Sequence, residues 1–191
     1  QYFDLLKMTL VRLNIVDVNA DGDINNDSFR KERIYKADET GWGVQSKRKR
    51  VIGWKGAKHV YLRKVSDNSH KTLMLGVCGN GDVLSPIIIL EKSFPLIDEG
   101  ESDHIPDGIL LAKTNKGSME QKLFSQWSEK AVGPHKMKVN PEAPSLMILD
   151  NHNSRFSLER ITLCEQLNIE MLCYPSHLTH ILQGPDVVLN K

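Results

Sequence analysis

The chain of 191 residues predicts an α/β domain with a mixed central sheet flanked by helices. Three observations carry that expectation. Strand and helix signals alternate along the chain, and Gly79-Asn80-Gly81-Asp82 joins two apolar runs as a hairpin turn. Two later apolar runs, 145–149 and 169–174, are separated by a helical period. With 40% hydrophobic and 26% charged residues and a mean hydropathy of -0.36, there is enough apolar material for one packed core.

Residues 5–15 (LLKMTLVRLNI) predict a short helix, and 33–37 (RIYKA) a strand ending at Asp38. Residues 72–78 (TLMLGVC) and 83–90 (VLSPIIIL) are the hairpin strands. Helix 119–131 places Met119, Leu123, Phe124, Trp127 and Ala131 on one face, with Ser118 and Gln121 at capping-box spacing. Residues 145–149 (SLMIL) form a buried strand ending at Asp150. Helix 155–167 repeats Phe156, Leu163, Cys164 and Leu167 at helical spacing, and strand 169–174 is stopped by Pro175. Residues 1–29 are expected to be an N-terminal helix and an Asp/Asn-rich loop leading into a core spanning 30–191.

Composition excludes several classes. Three cysteines without a CxxC spacing exclude a disulfide-stapled mini-domain and a zinc ribbon; buried reduced thiols are expected. The apolar run at Ile87–Leu90 is far too short to cross a bilayer, so no membrane partner is expected. No signal-peptide pattern opens the chain, which begins with Gln1, and a fragment of a longer protein is expected.

Net charge is only +1, yet it is unevenly spread. Between Lys47 and Lys71 stand nine basic residues (Lys47, Arg48, Lys49, Arg50, Lys55, Lys58, Arg63, Lys64 and Lys71) against one acid, Asp67. Trp54, His59 and Tyr61 are interleaved. Such a run suits a phosphate backbone, because each contact releases condensed counterions. A sorting signal or a solvated loop is the other expectation, since KRKR alone fits one.

Asp38 and Asp150 close predicted strands, and Asp186 follows the last after a short loop. Acids at strand carboxyl ends converge on one rim, where they make a ligand set for hard divalent ions. Two ions about 4 Å apart suit phosphodiester cleavage. The other expectation is that Asp38 caps a turn, Asp150 caps the next helix and Asp186 is a loop acid.

ADETGW at 37–42, LMILDNHNS at 146–154 and PSHLTHILQGPDV at 175–187, with CGNGDVLSPIIILEK at 78–92, resemble the pogo/Tigger/jerky-type DDE transposases of the mariner-like superfamily. The resemblance covers about residues 30–188 in the family's motif order. It implies an RNase H-like fold and metal-dependent nicking and joining of DNA ends. It makes Asp38, Asp150 and Asp186 the catalytic and metal-binding acids, holding two Mg²⁺ or Mn²⁺ ions, and a homodimer on DNA ends the expected assembly. Location in the nucleus follows from the same resemblance. The chain departs from the family where Arg155 replaces a usual His, and where LQGPD replaces LQPLD at Gly184-Pro185. Arg155 joins the basic run as an expected DNA contact, because a cation near the acids can grip a phosphate. The alternative expectation is a domesticated, inactive DNA-binding or chromatin protein.

Asn151 and His152 are expected to orient Asp150 or touch substrate, or equally to cap helix 155–167, and Thr179 and Gln183 to hold the loop before Asp186. Glu39 points to the opposite side of the strand from Asp38. His177 and His180 form an HxxH with no third ligand placed to complete a zinc site. Residues 17–28 (DVNADGDINNDS) carry Asp17, Asn19, Asp21, Gly22 and Ile24 at calcium-loop positions, but end on Ser28 where a bidentate acid belongs. An Asp/Asn-rich surface loop is expected there, with a weak calcium site as the alternative.

Overall fold

The computed structural model describes residues 1–43, 70–93, 105–150 and 158–175. In chain order these form α1 (Tyr2–Arg12), β1 (Ile34–Gly43), β2 (His70–Cys78), β3 (Ile87–Glu91), β4 (Leu110–Thr114), α2 (Gln121–Trp127), a π-helical turn (Ser128–Val132), α3 (Gly133–Val139), β5 (Ser145–Leu149), α4 (Leu158–Gln166) and β6 (Ile169–Cys173). The strands make one sheet in the order β4-β3-β2-β1-β5-β6. Strands β1, β2 and β3 form an antiparallel meander, while β5 runs parallel to β1 and β6 parallel to β5. That order of three antiparallel and two parallel strands is the expected RNase H-like arrangement. Strand β4 adds an outer edge parallel to β3.

Side chains alternate across the sheet, so each strand feeds two cores. On one face Tyr35, Ala37, Met74, Met147 and Leu149 pack under the helical layer, against Phe124, Trp127, Val132 and Cys164. Trp127 is fully buried, and its indole N–H donates to the Ser85 carbonyl at 2.8 Å. A side chain at Gly76 would meet the Trp127 ring at 2.7 Å and Leu84 at 2.8 Å, so the ring is seated on bare backbone. On the other face Leu10, Leu13, Ile15 and Val16 pack against Leu146 and Leu172.

Several elements depart from the sequence expectation. Helix α1 starts at Tyr2 and stops at Arg12, ahead of the 5–15 window. Strand β1 does not end at Asp38; antiparallel pairing with β2 carries it on to Gly43. The capping box is not formed: the residue before α2 is Glu120, with no side-chain cap, and the Ser118 amide instead donates to the Thr114 hydroxyl. Helix 119–131 is followed by a further helical segment. Pro134 lacks an N–H and crowds the preceding turn; the chain widens ahead of it, with the Gly133 amide bonding the Ser128 carbonyl five residues back. The three cysteines are free, Cys78 and Cys164 buried and Cys173 partly so.

Two buried cations organise the lower edge. Arg33, just before β1, donates to the carbonyls of Leu13 and Asn14 after α1 and of Pro144 before β5. Lys136 is fully buried, and its ammonium donates to the Asn140, Pro141 and Ala143 carbonyls at 2.8, 3.3 and 2.9 Å. Burial pushes its pKa down, while these carbonyls replace its water shell. Across the first core, the Tyr35 hydroxyl lies 3.2 Å from His135 Nδ1, and His135 Nε2 lies 3.0 Å from Asp82 Oδ2. This chain ties α3 to the β2–β3 turn.

Two outcomes are expected. Arg33→Met strands three carbonyls from two segments and should lower stability by roughly 2–3 kcal/mol in urea unfolding; a loss within error of zero would show the guanidinium is idle. His135, then Asn80, holds the Asp82 carboxyl below its usual range. Because the folded value is depressed, the stabilisation is full above the unfolded carboxylate range and fades as pH falls through the folded pKa. Urea midpoints of Asp82→Asn should therefore show a shallower acid decline than the parent below about pH 4.

Candidate active site

Strand β5 begins level with β1. Their parallel register pairs Ile34 with Leu146, Tyr35 with Met147 and Lys36 with Ile148. Carried one pleat further, the same register sets Asp38 opposite Asp150, on strands about 4.8 Å apart. Residues paired in this way point to one face, and it is the α1 face, since Ile34, Leu146 and Ile148 belong to that core. The two acids are therefore level in register, where parallel pairing of β1 with β5 ends and only the β1–β2 ladder continues. Asp38 thus reaches the rim from within a strand, because the sheet narrows beside it.

Asp38 is only 5% exposed, and its Oδ1 accepts the Glu39 amide at 2.8 Å, which fixes the carboxylate against the backbone. Asp150 is half-buried. Glu39 falls on the opposite face, as its strand position requires. On the next strand, Leu149 pairs with Cys173, so Tyr174 continues the rung of Asp38 and Asp150. Its amide donates to the Leu149 carbonyl at 2.9 Å. Tyr174 is buried, stacks against Tyr2 with ring centroids 5.9 Å apart, and carries the Lys36 ammonium 5.3 Å from its ring centre. Burial, then Tyr2 and Asp38, raises its phenol pKa. Neither Lys36 nor Tyr174 was singled out from the sequence. Lys36 had a signal, two residues before Asp38 on the same strand face; Tyr174 had only its place before Pro175.

Of the expected acids, Asp38 and Asp150 lie among the described residues, on rungs that the β1–β5 register makes level. Asp186, Asn151, His152, Arg155, Thr179 and Gln183 lie outside the described residues, as do Lys47, Arg48, Lys49, Arg50, Lys55, Lys58, Arg63, Lys64, His177 and His180. The ladder flanking the basic segment ends where Gly43 pairs with His70, five residues beyond Asp38 on the same strand. Among the described residues no group of three His, Cys, Asp or Glu is gathered for a metal. The pair of Asp38 and Asp150 offers oxygen donors alone, which fits Mg²⁺ or Mn²⁺ and not a thiolate- or imidazole-seeking ion. In the 17–28 segment Asp17 turns to Arg30, 3.3 Å away, and its amide bonds the Ser28 hydroxyl. A Val18–Ile24 bridge closes the segment as a surface turn, with Gly22 at a φ of 81°.

Comparison with known proteins adds a family to this geometry. Over 170 residues the chain is 27% identical to a Cochliobolus lunatus protein named MFS-type transporter clz9, covering 84% of this chain and 17% of that one. No helix among the described residues is long and apolar enough to cross a membrane. Over 164 residues it is 28% identical to the human pogo transposable element with KRAB domain, covering 85% of this chain and 26% of that protein. The chain thus spans about a quarter or less of the relatives it matches. A Mos1 transposase paired-end complex with left transposon end superposes with a TM-score of 0.48 at 14% identity, covering 91% of this chain and 40% of that one. The family model for DDE superfamily endonuclease matches residues 68–190, well over half the chain. The chain belongs to the DDE superfamily endonucleases.

Proposed function

We propose that this chain is the catalytic core of a pogo-like transposase, cutting and joining DNA phosphodiester bonds with Mg²⁺ or Mn²⁺. The observation that carries the proposal is the parallel register of β1 and β5, whose last pair, Lys36 with Ile148, lies two residues before Asp38 and Asp150. Family membership and the kinship to a pogo transposable element support it. Asp38, Asp150 and Asp186 are the acids that would hold two ions. Such ions, when bound, supply Lewis-acid activation to the attacking oxygen and to the scissile phosphate.

The chain's own residues do the rest. Asp38, fixed through the Glu39 amide, gives one rigid ligand, and Asp150, just past the end of β5, gives the second. Asn151 and His152 orient Asp150; Thr179 and Gln183 hold the segment carrying Asp186. The segment between Gly43 and His70 supplies Lys47, Arg48, Lys49, Arg50, Lys55, Lys58, Arg63 and Lys64 to the DNA backbone, and Arg155 grips a phosphate beside the acids. A homodimer on paired DNA ends, working in the nucleus, completes the proposal. A second reading, a domesticated protein that binds DNA without cutting it, is favoured by Arg155 and by Gly184-Pro185, which alter the surroundings of the second and third acids.

Two experiments separate these readings. In a supercoiled-plasmid assay with Mn²⁺, Asp38→Asn and Asp150→Asn should each lower nicking by at least about 100-fold, in keeping with loss of a metal-bound charge stabiliser. A parent that binds DNA but never nicks, even after Arg155→His, selects the domesticated reading. Charge reversal of Lys47, Arg48, Lys49 and Arg50 to Glu should weaken binding to all sequences alike and flatten the salt dependence by roughly one logarithmic unit per lost phosphate contact. Undiminished affinity would remove this segment from the DNA interface.

A further inference from the structure

Lys36 is a charged side chain that the proposed chemistry does not use. It stands one pleat before Asp38 on the same face of β1, opposite Ile148. Its ammonium is carried to the ring of Tyr174, beyond the end of β6, at 5.3 Å from the ring centre. Strand β5 lies between β1 and β6, and its residue on the Tyr174 rung and face is Asp150. Ammonium and ring thus meet across β5, on the sheet face that the register gives to Asp38 and Asp150. Tyr174 is 7% exposed and backed by Tyr2, so the ring is a fixed seat. Asp38 adds to the rise of the Tyr174 phenol pKa, which places that carboxylate within electrostatic reach of the ring.

We propose that Lys36 is the internal counter-ion of the Asp38–Asp150 pair, a positioning residue seated by the Tyr174 ring. Two carboxylates on neighbouring strands repel, and burial of one strengthens the repulsion. A compact ammonium on a flexible stem neutralises part of that charge while its contact with the ring fixes its place. The pair is thereby held together when no divalent ion is bound. An arriving ion meets a cation already in place, so Lys36 sets the metal affinity as well. Only this last consequence rests on the metal-binding reading above.

The test uses the full 191-residue chain in two arms. With chelator present, urea unfolding is compared for the parent, Lys36→Met, Asp150→Asn and the double variant. Lys36→Met should lower the midpoint of the parent and leave that of Asp150→Asn almost unmoved; an equal drop in both backgrounds overturns the counter-ion. Lys36→Arg and Tyr174→Phe, which keep the cation and the ring, should behave as the parent, whereas Tyr174→Leu should reproduce the lost coupling to Asp150. In the second arm, calorimetric Mn²⁺ titration of Lys36→Met should show binding about tenfold tighter than the parent, the scale of an ordinary coupling between two sites. Unchanged affinity overturns the competition. If Mn²⁺ binds the parent and Asp150→Asn alike, the metal-binding reading fails, and the chelator arm alone decides whether Lys36 is the counter-ion.

Discussion

The buried guanidinium of Arg33 decides where β1 and β5 begin. It sits one residue before β1 and grips the carbonyl of Pro144, one residue before β5, and the carbonyls that close α1. A planar fork with five donors can hold three chain segments at once, where a lysine could hold them only loosely. Because both strands leave the same clamp, they stay level, and equal strides bring Ile34 to Asp38 and Leu146 to Asp150. Lys136 secures the same corner, gathering the carbonyls of 140–143 that lead into β5. The position of the acid pair is set at the opposite end of the strands from the acids themselves.

The sheet divides its labour between faces. Helices α2, α3 and α4 cover one face with a dense apolar layer around Trp127, which supplies the burial that offsets chain entropy. The other face carries α1 at one end and the acid pair at the rim. Placing carboxylates on the less covered face keeps their charge away from the main core. It still leaves Asp38 nearly buried, a costly position for a charge, and the proposed counter-ion Lys36 would answer that cost.

Much of the fold was legible in the sequence because it rests on local patterns. Strand β5 was readable to the residue, since SLMIL is a continuous apolar run between Pro144 and Asp150. The hairpin was legible in its Asn-Gly-Asp turn, although only Val77 and Val83 bridge near the turn before β3 resumes at Ile87. What was not legible depends on partners distant in sequence. ADETGW reads as the end of a strand, yet pairing with β2 keeps it extended to Gly43. Strand β4 is a five-residue run made a strand by its parallel neighbour β3, and Gly133-Pro134 reads as a helix stop unless a widened turn admits the proline. For the site, the motif order named Asp38 and Asp150, but not that they are level. Levelness is a matter of register, which no single strand records. The same holds for Lys36 and Tyr174, two strands apart in the sheet and over a hundred residues apart in the chain, yet making one contact.

Affinity cleavage tests most directly whether Asp38 and Asp150 share one ion. Fe²⁺ loaded in place of Mg²⁺, with ascorbate and peroxide, generates hydroxyl radicals that cut the backbone within a few ångströms of the bound ion. Mass spectrometry of the fragments should show two cuts in the same sample, one beside Asp38 and one beside Asp150, both suppressed by excess Mg²⁺. Cuts at only one of these places, or cuts gathered in the 17–28 turn, would contradict a shared centre at the end of β5.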